Sequence, residues 1–215
     1  MPPILLLTGF EPFGGERQNP SWEVARRLER KTIEGLQIKA VRLPVSIGPA
    51  IRRLTESIDK IEPGAVLGLG QAGGRPMVSL ERVAINLFSK DETSGGGRTR
   101  PVIAGGPNAY FARLPLERVL LALKREGIPA ALSLSAGAFV CNAVMYAGLH
   151  ALRRRLSIPA GFVHLPYEAS QAARHRNAPS MSLGLMERAV ELSICAIARE
   201  LKRLARAGSA KQRKN

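Results

Sequence analysis

The most constraining feature of this sequence is an alternation of short apolar runs with segments of helical periodicity. The apolar runs, which predict strands, span 4–7, 38–45, 65–70, 77–88, 130–135 and 161–167, and helical patterns start near 20 and 141 and span 49–60, 115–126 and about 182–207. Strands that alternate with helices predict an α/β fold. We therefore expect a single-domain three-layer sandwich, with a twisted, largely parallel central sheet and helices on both faces.

A length of 215 residues suits one domain with a sizeable core. We assign residues 1–207 to this domain and 208–215 to a solvated basic tail. The formal net charge is +15, and the segment 199–215 contributes +6 of it, from seven basic residues against Glu200. A basic chain can bind nucleic acid, but aromatic residues are only 5% and no known reader motif occurs, so we expect no nucleic-acid partner.

Several other classes of protein are disfavoured by the sequence. No apolar run reaches the length of a membrane span, and the N-terminal segment has no basic leader, so we expect neither a membrane protein nor a signal peptide. The only cysteines, Cys141 and Cys195, are too few for a disulfide framework, which favours a cytoplasmic location. Motifs for a P-loop, a dinucleotide site, a serine elbow or a zinc site are missing, and we expect no metal and no cofactor.

Cys141 stands where an apolar run turns, through Ala136 and Gly137, into a helical pattern. A thiol at the start of a helix lies near the positive end of the helix dipole, which favours the nucleophilic thiolate. Burial as a small apolar residue is the alternative interpretation of Cys141, because cysteine is among the most buried residue types.

A thiol nucleophile needs a base, and three histidines are candidates. His150 is nine residues along the same helical pattern and does not easily reach back, and His175 lies in a charged, surface-like stretch. His164 ends an apolar strand and would be held in place, although a strand histidine is commonly structural. Glu81 is the isolated acid of an apolar segment and would alternatively pair with Arg75 or Arg82.

Six blocks resemble the pyrrolidone-carboxylate peptidase family, also called pyroglutamyl peptidase I. They are TGFEPFGG with NPS, GLGQAGGR, ERVAIN, GGPNAYFARLP, SAGAFVCNAVMYAGLH and GFVHLPY, and they follow one another in the family's order up to about residue 170. The resemblance implies a cytosolic, metal-free cysteine peptidase that removes an N-terminal pyroglutamyl residue from peptides. It also implies a homo-oligomer, which in relatives is a tetramer.

The resemblance assigns the catalytic roles residue by residue. Cys141 corresponds to the nucleophile, His164 to the base and Glu81 to the carboxylate that orients the histidine. His164 would take the thiol proton, Cys141 would attack the pyroglutamyl carbonyl, and the imidazolium would then protonate the leaving amine. Water would hydrolyse the acyl-enzyme, and backbone N–H groups at the start of the helix would stabilise the oxyanion.

The same resemblance implies a small pocket for a neutral lactam ring. Phe10 and Phe13 would flank the ring, with Phe139 nearby. Asn19 and the backbone of Gln71 would hydrogen-bond the lactam carbonyl and N–H, and a site built to bond such groups rejects ligands that lack them.

Two departures from the family pattern are visible. The family usually continues after ERVAIN with a stretch like DDARIPDN, whose arginine is thought to assist the site, whereas this chain reads LFSKDETSGGGRTRP. Lys90, Arg98 and Arg100 are candidates to replace that arginine. Leu134 stands where the family usually has asparagine. The triad is intact, but these changes bear on rate, substrate range and the order of the loop.

Two further hypotheses stay open at the sequence level. In the first, the chain is a catalytically weak or inactive relative that binds peptide ends or an acidic partner through its basic surface. The altered 90–100 segment and the net charge suggest it. Alternatively, the same chemistry would act on a different blocked N-terminus. A pyroglutamyl-amide reporter separates the first of these from the peptidase, and a panel of blocked peptides separates the second.

Overall fold

A computed structural model describes residues 2–89 and 99–212 of the chain, with side chains through 206. The strands are β1 (Ile4–Phe10), β2 (Thr32–Ile33), β3 (Leu36–Leu43), β4 (Ala65–Gln71), β5 (Val78–Glu81), β6 (Val83–Ile85), β7 (Phe88–Ser89), β8 (Thr99–Arg100), β9 (Ala109–Phe111), β10 (Ala130–Ser133) and β11 (Ala160–Leu165). The helices are α1 (Pro20–Leu28), α2 (Ile47–Ile61), α3 (Leu116–Arg125), α4 (Val140–Ala151), α5 (Ala169–Ala172) and α6 (Leu183–Gln212).

A seven-stranded sheet in the order β10-β5-β11-β4-β1-β3-β2 forms the middle layer. Neighbouring strands are parallel except at β5–β11 and at the edge pair β2–β3, which are antiparallel. Two small two-stranded sheets, β6–β9 and β7–β8, lie outside it. The sheet is therefore largely parallel, as predicted, and β5 and β10, the two strands at one edge, run opposite to β11 and its parallel neighbours.

Helices cover both faces of the sheet and bury its central strands on both sides. On one face, α1, α3 and α6 pack on a cluster that includes Leu5, Leu67 and Val163. On the other face, α2 and α4 pack on a cluster that includes Leu6 and Phe162. Neighbouring residues of β1 and β11 thus enter opposite cores, as the two-residue period of a strand requires. The three-layer α/β sandwich is confirmed.

Most predicted elements are present with shifted ends. The expected loop from residue 8 begins later, because β1 continues to Phe10, whose N–H donates to the Ser21 hydroxyl at 3.0 Å. The predicted extended run 77–88 is three strands, since the chain leaves the main sheet after Glu81 to pair with β9. The last helix continues past the expected end at 207, and the division between a domain 1–207 and a tail 208–215 stays a prediction.

The short elements β2, β8, β9 and α5 were not predicted. Each has only two to four residues, which is too short for a periodic pattern. Most of the loop predicted at 90–100, including Lys90 and Arg98, lies outside the described residues. Within the described ranges, none of the helices has the length and apolar character that a bilayer crossing requires.

Candidate active site

Cys141 is the second residue of α4, which begins at Val140 and follows the turn at Gly137. The sequence favours this geometry because Gly137 adopts a φ of +78°, which ends the extended segment after β10. Phe139 occupies the N-cap position and supplies no side-chain cap. The N–H groups of the first helical turn have no acceptor within their own helix, so this end of α4 is suited to a negative charge.

Glu81 and His164 meet because β5 and β11 are antiparallel. Glu81 is paired with Phe162, and directly paired residues point to the same face of a sheet. His164 is two residues further along β11, so its side chain is the diagonal neighbour of Glu81 on that face. The His164 Nδ1–Glu81 Oε1 distance is 2.8 Å, and the two residues are only 4% and 0% exposed.

The protonation of this pair follows from the charges around Glu81. Burial acts to raise the pKa of the Glu81 carboxyl, but the hydrogen bonds from His164 and Arg75 outweigh it and the pKa is lowered. Glu81 is therefore ionised at neutral pH and can only accept hydrogen bonds. His164 must donate through Nδ1–H, which leaves Nε2 of the neutral ring as a proton acceptor.

Arg75 is a third member of this cluster. Its Nη1 donates to Glu81 Oε1 at 2.7 Å, and its Nη2 donates to the backbone carbonyl of Ser135 at 3.0 Å. The alternative partner for Glu81 that the sequence allowed, Arg82, instead bonds Glu117 at 2.6 Å. The sequence suggests Arg75 only as a structural partner of Glu81, and nothing in the spacing indicates its second bond to Ser135.

The thiol of Cys141 lies over β4 at a position without a side chain. A Cβ built on Gly70 would be 2.9 Å from Cys141 Sγ and 2.8 Å from the ring of Phe162. Gly70 is paired with His164 in the parallel register of β4 and β11. The thiol therefore occupies the space next to the imidazole that a larger residue at position 70 would fill.

A cavity of about 380 Å³ opens beside the thiol. It contains Cys141 and His164 together with all five residues that the resemblance assigned to the substrate pocket, Phe10, Phe13, Asn19, Gln71 and Phe139. Glu81 is behind His164 and does not line the cavity. The remaining lining residues are Val45, Ala72, Gly73, Arg75, Ala136, Gly137 and Val140.

The predicted pocket residues differ in how firmly they are held. Asn19 is buried and caps α1, since its Oδ1 accepts from the N–H and the hydroxyl of Ser21 and its Nδ2 donates to the Glu11 carbonyl. The Gln71 side chain accepts from Nε2 of the buried Gln171 at 3.0 Å. Phe10 is buried, whereas Phe13 is 39% exposed at the cavity mouth.

The other histidines lie elsewhere. His150 Nδ1 bonds the Tyr110 hydroxyl at 2.9 Å, and burial, with Arg153 nearby, lowers its pKa. His175 stacks on Tyr167 and bonds Glu16. Arg100 is exposed and does not line the cavity. Among the described residues, no three His, Cys, Asp or Glu side chains form a group that could hold a metal ion.

An α/β sandwich in which a helix-start thiol shares a cavity with a carboxylate-bound imidazole belongs to the class of cysteine peptidases. The family model described as pyroglutamyl peptidase matches residues 4–200, and the chain belongs to this family.

Curated relatives and solved structures agree with this assignment. The chain is 47% identical over 197 residues to the pyrrolidone-carboxylate peptidase of Chromobacterium violaceum, covering 88% of this chain and 92% of the relative. It is 38% identical to the crystal structure of pyroglutamyl peptidase I from Bacillus amyloliquefaciens, with a TM-score of 0.85 over 92% of this chain and 96% of the other. Pyrrolidone carboxyl peptidase from Pyrococcus furiosus gives a TM-score of 0.86 at 34% identity, over 92% and 99%.

Proposed function

We propose that this protein is a cysteine exopeptidase that hydrolyses the amide bond after an N-terminal pyroglutamyl residue of peptides. The observation that carries the proposal is the shared cavity, in which the Cys141 thiol and the carboxylate-bound His164 stand beside the lactam-pocket residues implied by the family. The family match over residues 4–200 supports the choice of substrate.

In this mechanism Nε2 of His164 accepts the thiol proton, and the Cys141 thiolate attacks the carbonyl carbon of the pyroglutamyl residue. The first-turn N–H groups of α4 stabilise the resulting oxyanion. The imidazolium returns the proton to the leaving amine, which departs with the rest of the peptide. Water, deprotonated by His164, then hydrolyses the thioester and releases pyroglutamate.

Glu81 orients the imidazole and stabilises its protonated form. Because the carboxylate holds Nδ1–H, the ring keeps the tautomer in which Nε2 faces the thiol. A buried, ionised carboxylate also favours the imidazolium that forms during the reaction. Glu81 thus acts through His164 rather than on the substrate.

Selectivity rests on an apolar pocket with few polar groups. The pyroglutamyl ring is flat, small and uncharged, and it would lie between Phe10 and Phe13 with Phe139 alongside. Asn19 and the backbone of Gln71 would bond the lactam carbonyl and N–H. A peptide with a charged N-terminal amine would leave these groups unpaired and bury its own charge, so it would bind weakly.

A coumarin amide of pyroglutamate tests the proposal. The wild-type protein is expected to release the fluorophore, whereas Cys141→Ala is expected to abolish release, since the nucleophile is gone. Cys195→Ala is the matched control, because it removes the other thiol, in α6 outside the cavity, and should leave turnover unchanged. Release by Cys141→Ala, or equal cleavage of prolyl and glutaminyl amides by the wild type, would contradict it.

We also propose the cytoplasmic location and the homo-oligomer, a tetramer in relatives, that the resemblance implies. Light scattering on the purified protein would measure the oligomeric mass, and a monomer at micromolar concentration would contradict the second part. Cell fractionation would test the first.

A further inference from the structure

The side chain of Arg75 connects two parts of the candidate site that are remote in sequence. It follows β4, and its guanidinium reaches both the Glu81 carboxylate at the end of β5 and the Ser135 carbonyl in the segment that leads to Cys141. Glu81 Oε1 therefore receives two donors, Arg75 Nη1 at 2.7 Å and His164 Nδ1 at 2.8 Å. Arg75 itself lines the cavity that holds the thiol.

The charges of the cluster balance only when Arg75 is included. Glu81 is 0% exposed, and a buried carboxylate without a cation is costly. In the proposed mechanism His164 is neutral until it accepts the thiol proton, so the cation that bonds Glu81 before the transfer is Arg75. Arg75, with a side chain 35% exposed, makes the resting cluster neutral, and the cluster stays neutral when the proton moves from Cys141 to His164.

The second bond of Arg75 acts on the segment before the nucleophile. The Ser135 carbonyl that accepts from Arg75 also accepts from the Ser133 hydroxyl, and the Ser135 hydroxyl accepts from the Gly137 N–H at 3.1 Å. This segment leads directly into the first turn of α4, whose N–H groups face the developing oxyanion in the proposed mechanism. A guanidinium can hold both oxygens because its donors form a rigid planar fork.

We propose that Arg75 is a positioning residue of this site, which fixes the Glu81–His164 pair and the Ser135–Phe139 segment relative to the thiol. The inference rests on the proposed peptidase function for its kinetic readout. Its physical content is that one cation sets both the charge balance of the thiol–imidazole pair and the geometry of the turn before Cys141.

Three variants separate charge from geometry. Arg75→Met removes both, Arg75→Lys keeps the charge but cannot span the two oxygens as a fork, and Arg82→Met removes a neighbouring cation that bonds the exposed Glu117 instead. Arg82→Met is the matched control for net charge. Thermal unfolding of each variant establishes that it is folded before its kinetics are measured.

Arg75→Met is expected to lower kcat by roughly tenfold or more, the size of effect seen when a hydrogen-bonded partner behind a catalytic or metal-bound group is lost. A cation favours loss of protons nearby, so its removal should shift both limbs of the kcat/KM profile to higher pH, by roughly half a unit to one unit. Arg75→Lys should keep the wild-type limbs with only part of the loss in kcat. Arg82→Met should match the wild type.

Alkylation of Cys141 by iodoacetamide, in a Cys195→Ala background, gives a second readout that needs no peptide substrate. Its pH dependence reports formation of the thiolate, and Arg75→Met should again shift it to higher pH. If the wild type fails to cleave the pyroglutamyl reporter, the proposed function is lost while this readout still tests Arg75.

The proposal is overturned if Arg75→Met keeps the wild-type pH limbs and alkylation profile. It is also overturned if only KM rises, because Arg75 would then contact substrate rather than position the reacting groups. If Arg75→Met and Arg75→Lys have the same kcat and the same pH limbs, the positive charge of Arg75 has no role at this site. If Arg75→Met does not fold, Arg75→Gln replaces it in the kinetic and the alkylation assays. Unchanged pH profiles, or a rise in KM alone, would again overturn the proposal.

Discussion

At the scale of single residues, the site depends on two glycines of β4, whose lack of a side chain leaves space for the ring and the thiol beside them. Gly68 and Gly70 of β4 both lie beneath the ring of Phe162, and Gly70 also leaves space for Cys141 Sγ. Because Gly70 is paired with His164, this space is next to the imidazole. The alternating glycines of Gly68-Leu69-Gly70 thus have a physical cause, which is the close approach of a ring and a thiol to one face of the strand.

Gly70→Ala is expected to damage activity more than stability. The added Cβ would lie 2.9 Å from the sulfur and 2.8 Å from the Phe162 ring, so both must shift. Overpacking of this kind costs about 1–3 kcal/mol, while kcat/KM should fall at least roughly tenfold because the thiol moves from its partner.

Gly184→Ala is the matched control for this change, since nothing lies within 4 Å of a Cβ there and alanine favours a helix. Urea unfolding and reporter hydrolysis measure the two effects. A Gly70→Ala protein with normal turnover would show that the thiol does not need this space.

Glu81→Gln is expected to lower kcat on the order of 100-fold or more, because the amide neither enforces the imidazole tautomer nor balances the imidazolium. The pKa of the Glu81 carboxyl is lowered, so in the wild type the carboxylate is fully ionised above the ordinary carboxyl pKa. Its effect on His164 is lost only as pH falls through the lower pKa of the folded state. Reporter hydrolysis from pH 4 to 9 checks both points. Unchanged kcat in a folded Glu81→Gln protein would exclude this role.

The sequence predicted Cys141, His164 and Glu81 through the resemblance of their blocks, whereas pattern alone left each with an ordinary structural interpretation. Arg75 was missed as a bridge because its two acceptors, a carboxylate at 81 and a carbonyl at 135, come together only in the folded sheet. Contacts between elements that are distant in sequence carry no local signal.

At the scale of elements, α4 is held in place by the residue after the nucleophile. Asn142 is fully buried, and its Oδ1 accepts from the Ile85 N–H while its Nδ2 donates to the carbonyls of Ile85 and Leu87. These bonds tie the start of the helix to the segment that leaves β6. The helix start was predictable from the turn at Gly137, but this tether was not.

Asn142→Ala is expected to destabilise the protein by roughly 2–4 kcal/mol, because three backbone groups lose their partner in a buried setting. Chemical denaturation measures the loss. Asn108→Ala, which truncates an exposed asparagine in the same region of the fold, is the control and should change stability little. Equal stability of the two variants would mean that Asn142 is not a tether.

At the scale of the whole molecule, acidic side chains are few, and many of them form ion pairs or hydrogen bonds. The chain has 17 Asp and Glu residues against 32 Lys and Arg, and carboxylates on many parts of the surface bond arginine or lysine. The pKa of Glu81 is lowered as described above. Hydrogen bonds to neighbouring side chains also lower the pKa of a further group of carboxylates near the surface, of which two are exposed and three are half-buried, namely Glu34, Glu117, Glu16, Glu168 and Glu200.

Stability is therefore expected to fall in acid. A carboxylate whose pKa is lower in the folded state contributes stability above its unfolded pKa, and this contribution is lost as pH falls through the folded value. Urea denaturation at pH 7, 5, 4 and 3 should show a steady decrease below about pH 4.5.

Salt distinguishes the buried from the exposed groups. The exposed pairs are screened in 0.5 M NaCl, whereas Glu81 is not, so a smaller acid dependence should remain at high salt and should largely disappear in Glu81→Gln. A stability that is flat between pH 7 and 3 would contradict the assignment of these charges.

The antiparallel pairing of β5 with β11 joins an acid and a base that are 83 positions apart along the chain. Contacts of such long range form late in folding, after the helices have gained their local bonds. Helical signal during renaturation would thus return ahead of enzymatic turnover, and a partly assembled intermediate would have no working dyad. The Glu81–His164 bond is therefore not in place until β5 has paired with β11.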